Sequence, residues 1–110
     1  MELEERARTL ARKSCMCSKH SCIIMHYNQI VAEGYNHNCH QSHNKFSLHA
    51  EVSALSKIKH MPKSWLKECK MYVFRISNTN PNNFRMSKPC PDCEKTILQA
   101  NIGKVFYTCD

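Results

Sequence analysis

Apolar residues fall at helical spacing near the start of the chain. Over residues 2–13, Leu3, Ala7, Leu10 and Ala11 share one face. Glu2, Glu4 and Glu5 stand where a helix dipole favours negative charge, and Arg8 and Arg12 follow Glu4 at i+4 steps. A polar, cysteine-bearing loop follows over residues 14–20. The period then changes. Residues 21–26 and 29–33, rich in Ile and Val, read as two strands, with Tyr27-Asn28 as the turn of an antiparallel hairpin that Gly34 ends. Residues 35–45 carry Asn, His and Ser with little to bury and read as irregular. A central helix is expected over residues 48–60, capped by Ser47 and stopped by Pro62. Trp65 and Leu66 are expected to pack beneath the sheet edge. Residues 71–76 are continuously apolar, as in a buried strand. A long polar loop over residues 77–87 has Phe84 and Met86 as anchors. A second helix over residues 90–100 ends in the turn Asn101-Ile102-Gly103, and a last strand covers residues 104–108. The order helix, strand, strand, helix, strand, helix, strand predicts an α/β fold. It has three α/β/α layers around a mixed sheet of about four strands, and both later helices enter from one side.

Composition narrows the setting. With 110 residues, the chain is expected to form one domain over its full length. A core of that size is modest, so a metal or self-association would help it, and a homo-oligomer is expected. Apolar content of 42% fits a globular protein. There is no apolar run long enough to span a membrane and no signal peptide, so no membrane partner is expected. The eight cysteines then suit a reduced compartment, the cytoplasm, with thiols used for metal or buried as small hydrophobes. The net charge of +7 suits an anionic partner, a nucleotide or a nucleic acid, and equally a soluble basic surface.

The chemistry concentrates at His49-Ala50-Glu51 and Lys88-Pro89-Cys90-Pro91-Asp92-Cys93. H-x-E followed by P-C-x-x-C is a known signature of zinc-dependent nucleobase deaminases. The spacing has a physical logic. A catalytic zinc takes three protein ligands and leaves a fourth position for water. His49, Cys90 and Cys93 supply three, with the cysteines one helical turn apart. Pro91 suits a first helical position, which puts Cys90 at a helix start, where the dipole favours a thiolate. Glu51 is left to move protons, and it shares a helix face with Ala54, Leu55 and Ile58. The plainer reading is a structural zinc site with Glu51 in solvent, but such sites usually close with four Cys or His ligands. Cys15, Cys17, Cys39 and His43, with His40, are candidates for a second metal site; the alternative is a polar substrate loop with incidental ligands.

From the first hairpin to the last strand the chain resembles the cytidine and deoxycytidylate deaminase superfamily. The resemblance is carried by Ile30-Val31-Ala32-Glu33-Gly34-Tyr35-Asn36, His49-Ala50-Glu51, Ser87 to Cys93, and Ile102-Gly103-Lys104-Val105-Phe106-Tyr107. In style it is similar to short single-domain members from phages and large DNA viruses, which would place it in a host cytoplasm. The resemblance implies a cytidine deaminase-like fold, Zn2+ held by His49, Cys90 and Cys93, and Glu51 as proton shuttle. It further implies Asn36 on the substrate sugar, the Ala50 N–H on a base carbonyl, and the Lys88 carbonyl accepting from the exocyclic amine. The implied activity is hydrolytic deamination of a cytosine nucleotide, dCMP or a related cytidine compound, to the uracil product and ammonia. The rivals are a deaminase of polynucleotide cytosine or tRNA adenine, and a zinc-stabilised binding module without catalysis. No segment resembles the nucleotide-regulated insert of larger deoxycytidylate deaminases.

Overall fold

Why one sheet organises this chain is visible in the alternation along its strands. The computed structural model describes residues 3–16, 18–41, 44–80 and 82–109, and only the backbone of 38–41 and 44–48. The elements run α1 (Leu3–Arg12), β1 (Lys19–His26), β2 (Gln29–Tyr35), β3 (His37–Gln41), β4 (Asn44–Leu48), α2 (Ala50–Leu55), α3 (Lys63–Lys67), β5 (Cys69–Ile76), α4 (Pro91–Gln99) and β6 (Lys104–Tyr107). The main sheet has the order β2-β1-β5-β6; β1 is antiparallel to both neighbours and β6 is parallel to β5. Side chains of a strand alternate between faces. Cys22 and Ile24 of β1 and Met71 and Val73 of β5 therefore pack with Ala50, Ala54 and Leu55 of α2 and Ile97 of α4. Ile23 and Phe74 pack the opposite way, with Ala7 and Leu10 of α1. Helices cover both faces of a mixed sheet, as the pattern predicts. Ile23, Ile24, Met71 and Val73 are fully buried, each contributing about 1.5–3 kcal/mol relative to exposure.

Polar contacts tie the layers together. Ser21 Oγ donates to the Ala7 carbonyl at 2.9 Å, and Arg6 grips Glu33 with two hydrogen bonds of 2.5 and 2.7 Å. The hairpin turn falls at Tyr27-Asn28 as expected, with Tyr27 at φ 57°. The Tyr27 hydroxyl donates to Glu68 at 2.6 Å, and His26 stacks on Trp65 at 4.5 Å, which fixes the turn against α3. Phe84 anchors its loop on Phe74, with ring centroids 5.4 Å apart, whereas Met86 stays exposed.

The structure corrects four expectations. Gly34 does not end β2; it pairs with Cys22 inside the strand, and its missing side chain lets α2 lie directly against it. Residues 35–45 are not irregular, because β3 and β4 form an antiparallel pair of their own. The pair is seen in its backbone register, His37 opposite Leu48 to Gln41 opposite Asn44, and hydrophobic periodicity gives no sign of it. The central helix is shorter than residues 48–60. Beyond Ser56 the Lys57 and Ile58 N–H groups bond three residues back, to Ala54 and Leu55, so the helix tightens into turns before Pro62. Ser47 is not the cap, since it belongs to β4; the N-cap is His49.

Candidate metal centre and its cavity

Two helices begin at one place. His49 is the N-cap of α2, extended at φ −72° and ψ 152°, and Cys90 is the N-cap of α4, extended at φ −67° and ψ 163°. Neither uses its side chain to cap its helix, so both side chains are free for other partners. Pro91 takes the first position of α4, where no N–H is needed. One turn further, Cys93 returns its sulfur to the same point. The ligand atoms of His49, Cys90 and Cys93 all lie within 4.8 Å of one another. His49 Nδ1 is 3.0 Å from Cys93 Sγ and 3.7 Å from Cys90 Sγ.

That donor set fits zinc. Bond lengths of about 2.0 Å to nitrogen and 2.3 Å to sulfur put tetrahedral donors roughly 3.5–4 Å apart, close to the spacing found. Electrostatics agree. Burial, followed by the nearby Glu51 charge, pushes the Cys93 thiol far above its ordinary range. A thiolate at that depth requires a cation beside it. One imidazole and two thiolates leave a fourth tetrahedral position.

Glu51, only 5% exposed, sits on the first turn of α2 and lines the same cavity. Burial raises its carboxyl above the ordinary carboxylate value, opposed by its own backbone N–H and by His49. The helix face expected to hold Ala54, Leu55 and Ile58 beside it is buried as a unit. The cavity measures about 580 Å3. Ala50 and Lys88 line it, as does Asn36, all three of the expected substrate contacts.

Asn36 is already committed, however. Its Oδ1 accepts the His20 N–H at 2.8 Å and its Nδ2 donates to the Ser18 carbonyl at 2.6 Å. Its amide thus holds the segment leading into β1 against the cavity and leaves one N–H for any ligand. Sequence reasoning passed over Ser18, His20 and Ser87, which also line the cavity. Ser87 Oγ donates to the Val73 carbonyl at 2.7 Å, and the Thr108 N–H donates to Ser87 Oγ at 2.8 Å, fixing the segment that leads to Cys90. The polar run before the first strand was the one available signal for Ser18 and His20.

Of the second-metal candidates, Cys15 is exposed and lines the main cavity. Cys17 and His43, and the side chains of Cys39 and His40, lie outside the described residues. Among the described residues, His49, Cys90 and Cys93 are the one cluster able to hold a metal ion. Among them, too, no helix is long and apolar enough to cross a membrane.

Comparison with known proteins agrees with this geometry. The family described as the cytidine and deoxycytidylate deaminase zinc-binding region matches residues 1–109. No curated protein matches the chain. Among solved structures, dCMP deaminase from the cyanophage S-TIM5 in its apo form is similar at 28% identity and a TM-score of 0.69, over 99% of this chain and 86% of that one. The same phage enzyme in complex with dCMP and dUMP gives 26% identity and a TM-score of 0.67, over 97% and 82%. Guanine deaminase from Bacillus subtilis gives 26% identity and a TM-score of 0.62, over 99% of this chain and 65% of that one.

Proposed function

The chain belongs to the cytidine and deoxycytidylate deaminase family, with Zn2+ as its cofactor, and we propose that its substrate is a cytosine nucleotide, dCMP or a close relative. The reaction is hydrolytic deamination to the uracil product and ammonia. The observation that carries this reading is the burial of Glu51 on the cavity wall beside the His49, Cys90 and Cys93 donors. A structural zinc site has no use for a buried carboxylate, which costs stability unless it has a task. The cyanophage dCMP deaminase, similar over nearly the whole chain, supports the choice of base.

His49, Cys90 and Cys93 hold the ion, whose contribution when bound is Lewis acidity toward water and toward the developing charge. Glu51 takes the proton of the attacking water at its carboxylate as the oxygen adds to C4 of cytosine. It passes that proton to the ring nitrogen, then takes the second proton from the hydroxyl added at C4 and gives it to the amine, so that the C4 carbonyl forms, the C4–N bond breaks and ammonia departs. Burial raises the Glu51 carboxyl above the ordinary carboxylate value, so it holds a proton more readily than an exposed carboxyl, which suits a group that both takes and returns one. The Ala50 N–H donates to the base carbonyl and the Lys88 carbonyl accepts from the exocyclic amine. Asn36 offers its remaining N–H to the sugar.

The test is Glu51→Gln, compared with the parent for ammonia release from dCMP, deoxycytidine, cytidine, guanine and a cytosine-bearing oligonucleotide. The parent releases ammonia from dCMP, and the variant retains zinc while its turnover falls by about 10²–10⁴-fold, the range of general acid–base catalysis. Unimpaired turnover in the variant removes Glu51 from the mechanism.

A further inference from the structure

We propose that the sheet face beside α1, at Lys70, Tyr72, Lys104 and Phe106, binds single-stranded nucleic acid, its lysines taking phosphate and its rings stacking on bases. None of these four residues lines the cavity at the metal centre. The surface is therefore separate from the site of deamination, and the inference does not depend on which base is deaminated there.

Three observations carry it. The first is a stacking platform. Tyr72 and Phe106 are register partners on β5 and β6, and their rings lie stacked, with centroids 5.1 Å apart and planes 15° from parallel. α1 packs over β1, β5 and β2, whereas β6 is an edge strand of the sheet. Phe106 is 45% exposed, and the side of its ring away from Tyr72 has no neighbouring strand. A bare aromatic face accepts any base, because every base has a π face. The second is charge. Lys70 and Lys104 are also register partners, two residues before Tyr72 and Phe106, so all four side chains share one face. Both lysines are exposed, and neither makes a hydrogen bond or ion pair among the described residues. Like charges side by side in a sheet repel, and a phosphate between them relieves the repulsion. Two acids in the neighbouring elements are already taken. Glu68 accepts from the Tyr27 hydroxyl at 2.6 Å and meets the His26 ring at 3.2 Å, and Glu4 of α1 faces Arg8 at 3.9 Å. The third is spacing. Successive same-face residues of a strand stand about 6.6 Å apart, so one nucleotide can set its phosphate at the lysine pair and its base at the rings. A second copy of the chain on this face would set lysine against lysine. An anionic strand instead complements both the pair and the net charge of +7.

Fluorescence anisotropy of the zinc-loaded protein with labelled oligo(dT) tests this, because thymine has no amine to release. The variants are Phe106→Leu, which keeps an apolar contact for Tyr72, and the double variant Lys70→Gln with Lys104→Gln, each first matched to the parent in zinc content and Tm. Phe106→Leu is expected to bind oligo(dT) about tenfold more weakly, within the range for loss of one base–aromatic stack. The double variant is expected to flatten the slope of log Kd against log salt by about 1.4, as for two phosphate contacts on a single strand. Excess dUMP, which would occupy the cavity, is expected to leave the binding unchanged. If Phe106→Leu does not fold, the exposed lysines of the double variant decide alone. Absence of binding at low salt, binding that the variants leave unaltered, or binding displaced by dUMP overturns the assignment. So does a parent dimer in sedimentation velocity that Phe106→Leu splits, which gives the face to a second copy. Capture by anionic vesicles without binding of oligo(dT) overturns it as well.

Discussion

Replacing Gly34 by Ala tests how the sheet positions the metal centre. A Cβ there would lie 2.7 Å from the Ala50 carbonyl oxygen, 2.7 Å from the Ala54 nitrogen and 2.9 Å from Ser53 Cβ. Two of these three atoms belong to the backbone of α2, so no flexible side chain can swing aside. The helix must move off the sheet, carrying His49 and Glu51 with it. Overpacking of this kind costs about 1–3 kcal/mol, and a clash with backbone belongs at the upper end. At about 5 °C per kcal/mol for a domain of this size, Tm falls by about 10–15 °C. Displacing one donor also weakens zinc, on the order of tenfold by comparison with changes just outside other metal sites. Thermal unfolding by circular dichroism, with and without zinc, measures the first effect, and competition with a chromophoric chelator measures the second. Gly103→Ala supplies the control. Its Cβ would meet the Lys67 carbonyl oxygen at 2.1 Å, away from the metal donors, so it lowers Tm while zinc affinity holds. A Gly34→Ala protein with parental Tm and zinc affinity refutes the argument that α2 rests directly on β2. So does equal loss of zinc affinity in both variants.

Cys90→Ala removes one of three donors, so zinc content drops and stability with it, because ligation and folding are linked. Its Tm should match that of the parent stripped by chelator, and undiminished zinc in the purified variant would contradict the ligand assignment. Asn36→Ala leaves the His20 N–H and the Ser18 carbonyl without their partner, a loss of about 1–3 kcal/mol in chemical denaturation. An effect on KM alone, at unchanged stability, would instead make Asn36 a substrate contact only. The Arg6–Glu33 pair gives a pH dependence. Hydrogen bonding to Arg6 holds the Glu33 carboxyl below its ordinary 4.5, partly offset by burial. A depressed folded-state pKa stabilises above that ordinary value, and the contribution is lost as pH falls through the folded value. Glu33→Gln should therefore narrow its stability gap to the parent below about pH 4.5, read from denaturant midpoints at several pH values.

Sequence alone marked the candidate metal centre and the acid beside it. His49, Glu51, Cys90 and Cys93 are legible because a metal centre fixes residue type and local spacing, and both are visible along the chain. The layers were legible too, since Ile23 against Ile24 and Tyr72 against Val73 alternate as strand neighbours must. Several features belonged to tertiary structure. The β3–β4 pair is made by backbone bonds between residues with no apolar rhythm. The role of Gly34 depends on α2 lying against it, 16 to 20 residues later in the chain. The clamp that Asn36 places on Ser18 and His20 spans two elements. Residue type and local period act between near neighbours, whereas close approach and unmet charge exist only once distant segments share a surface.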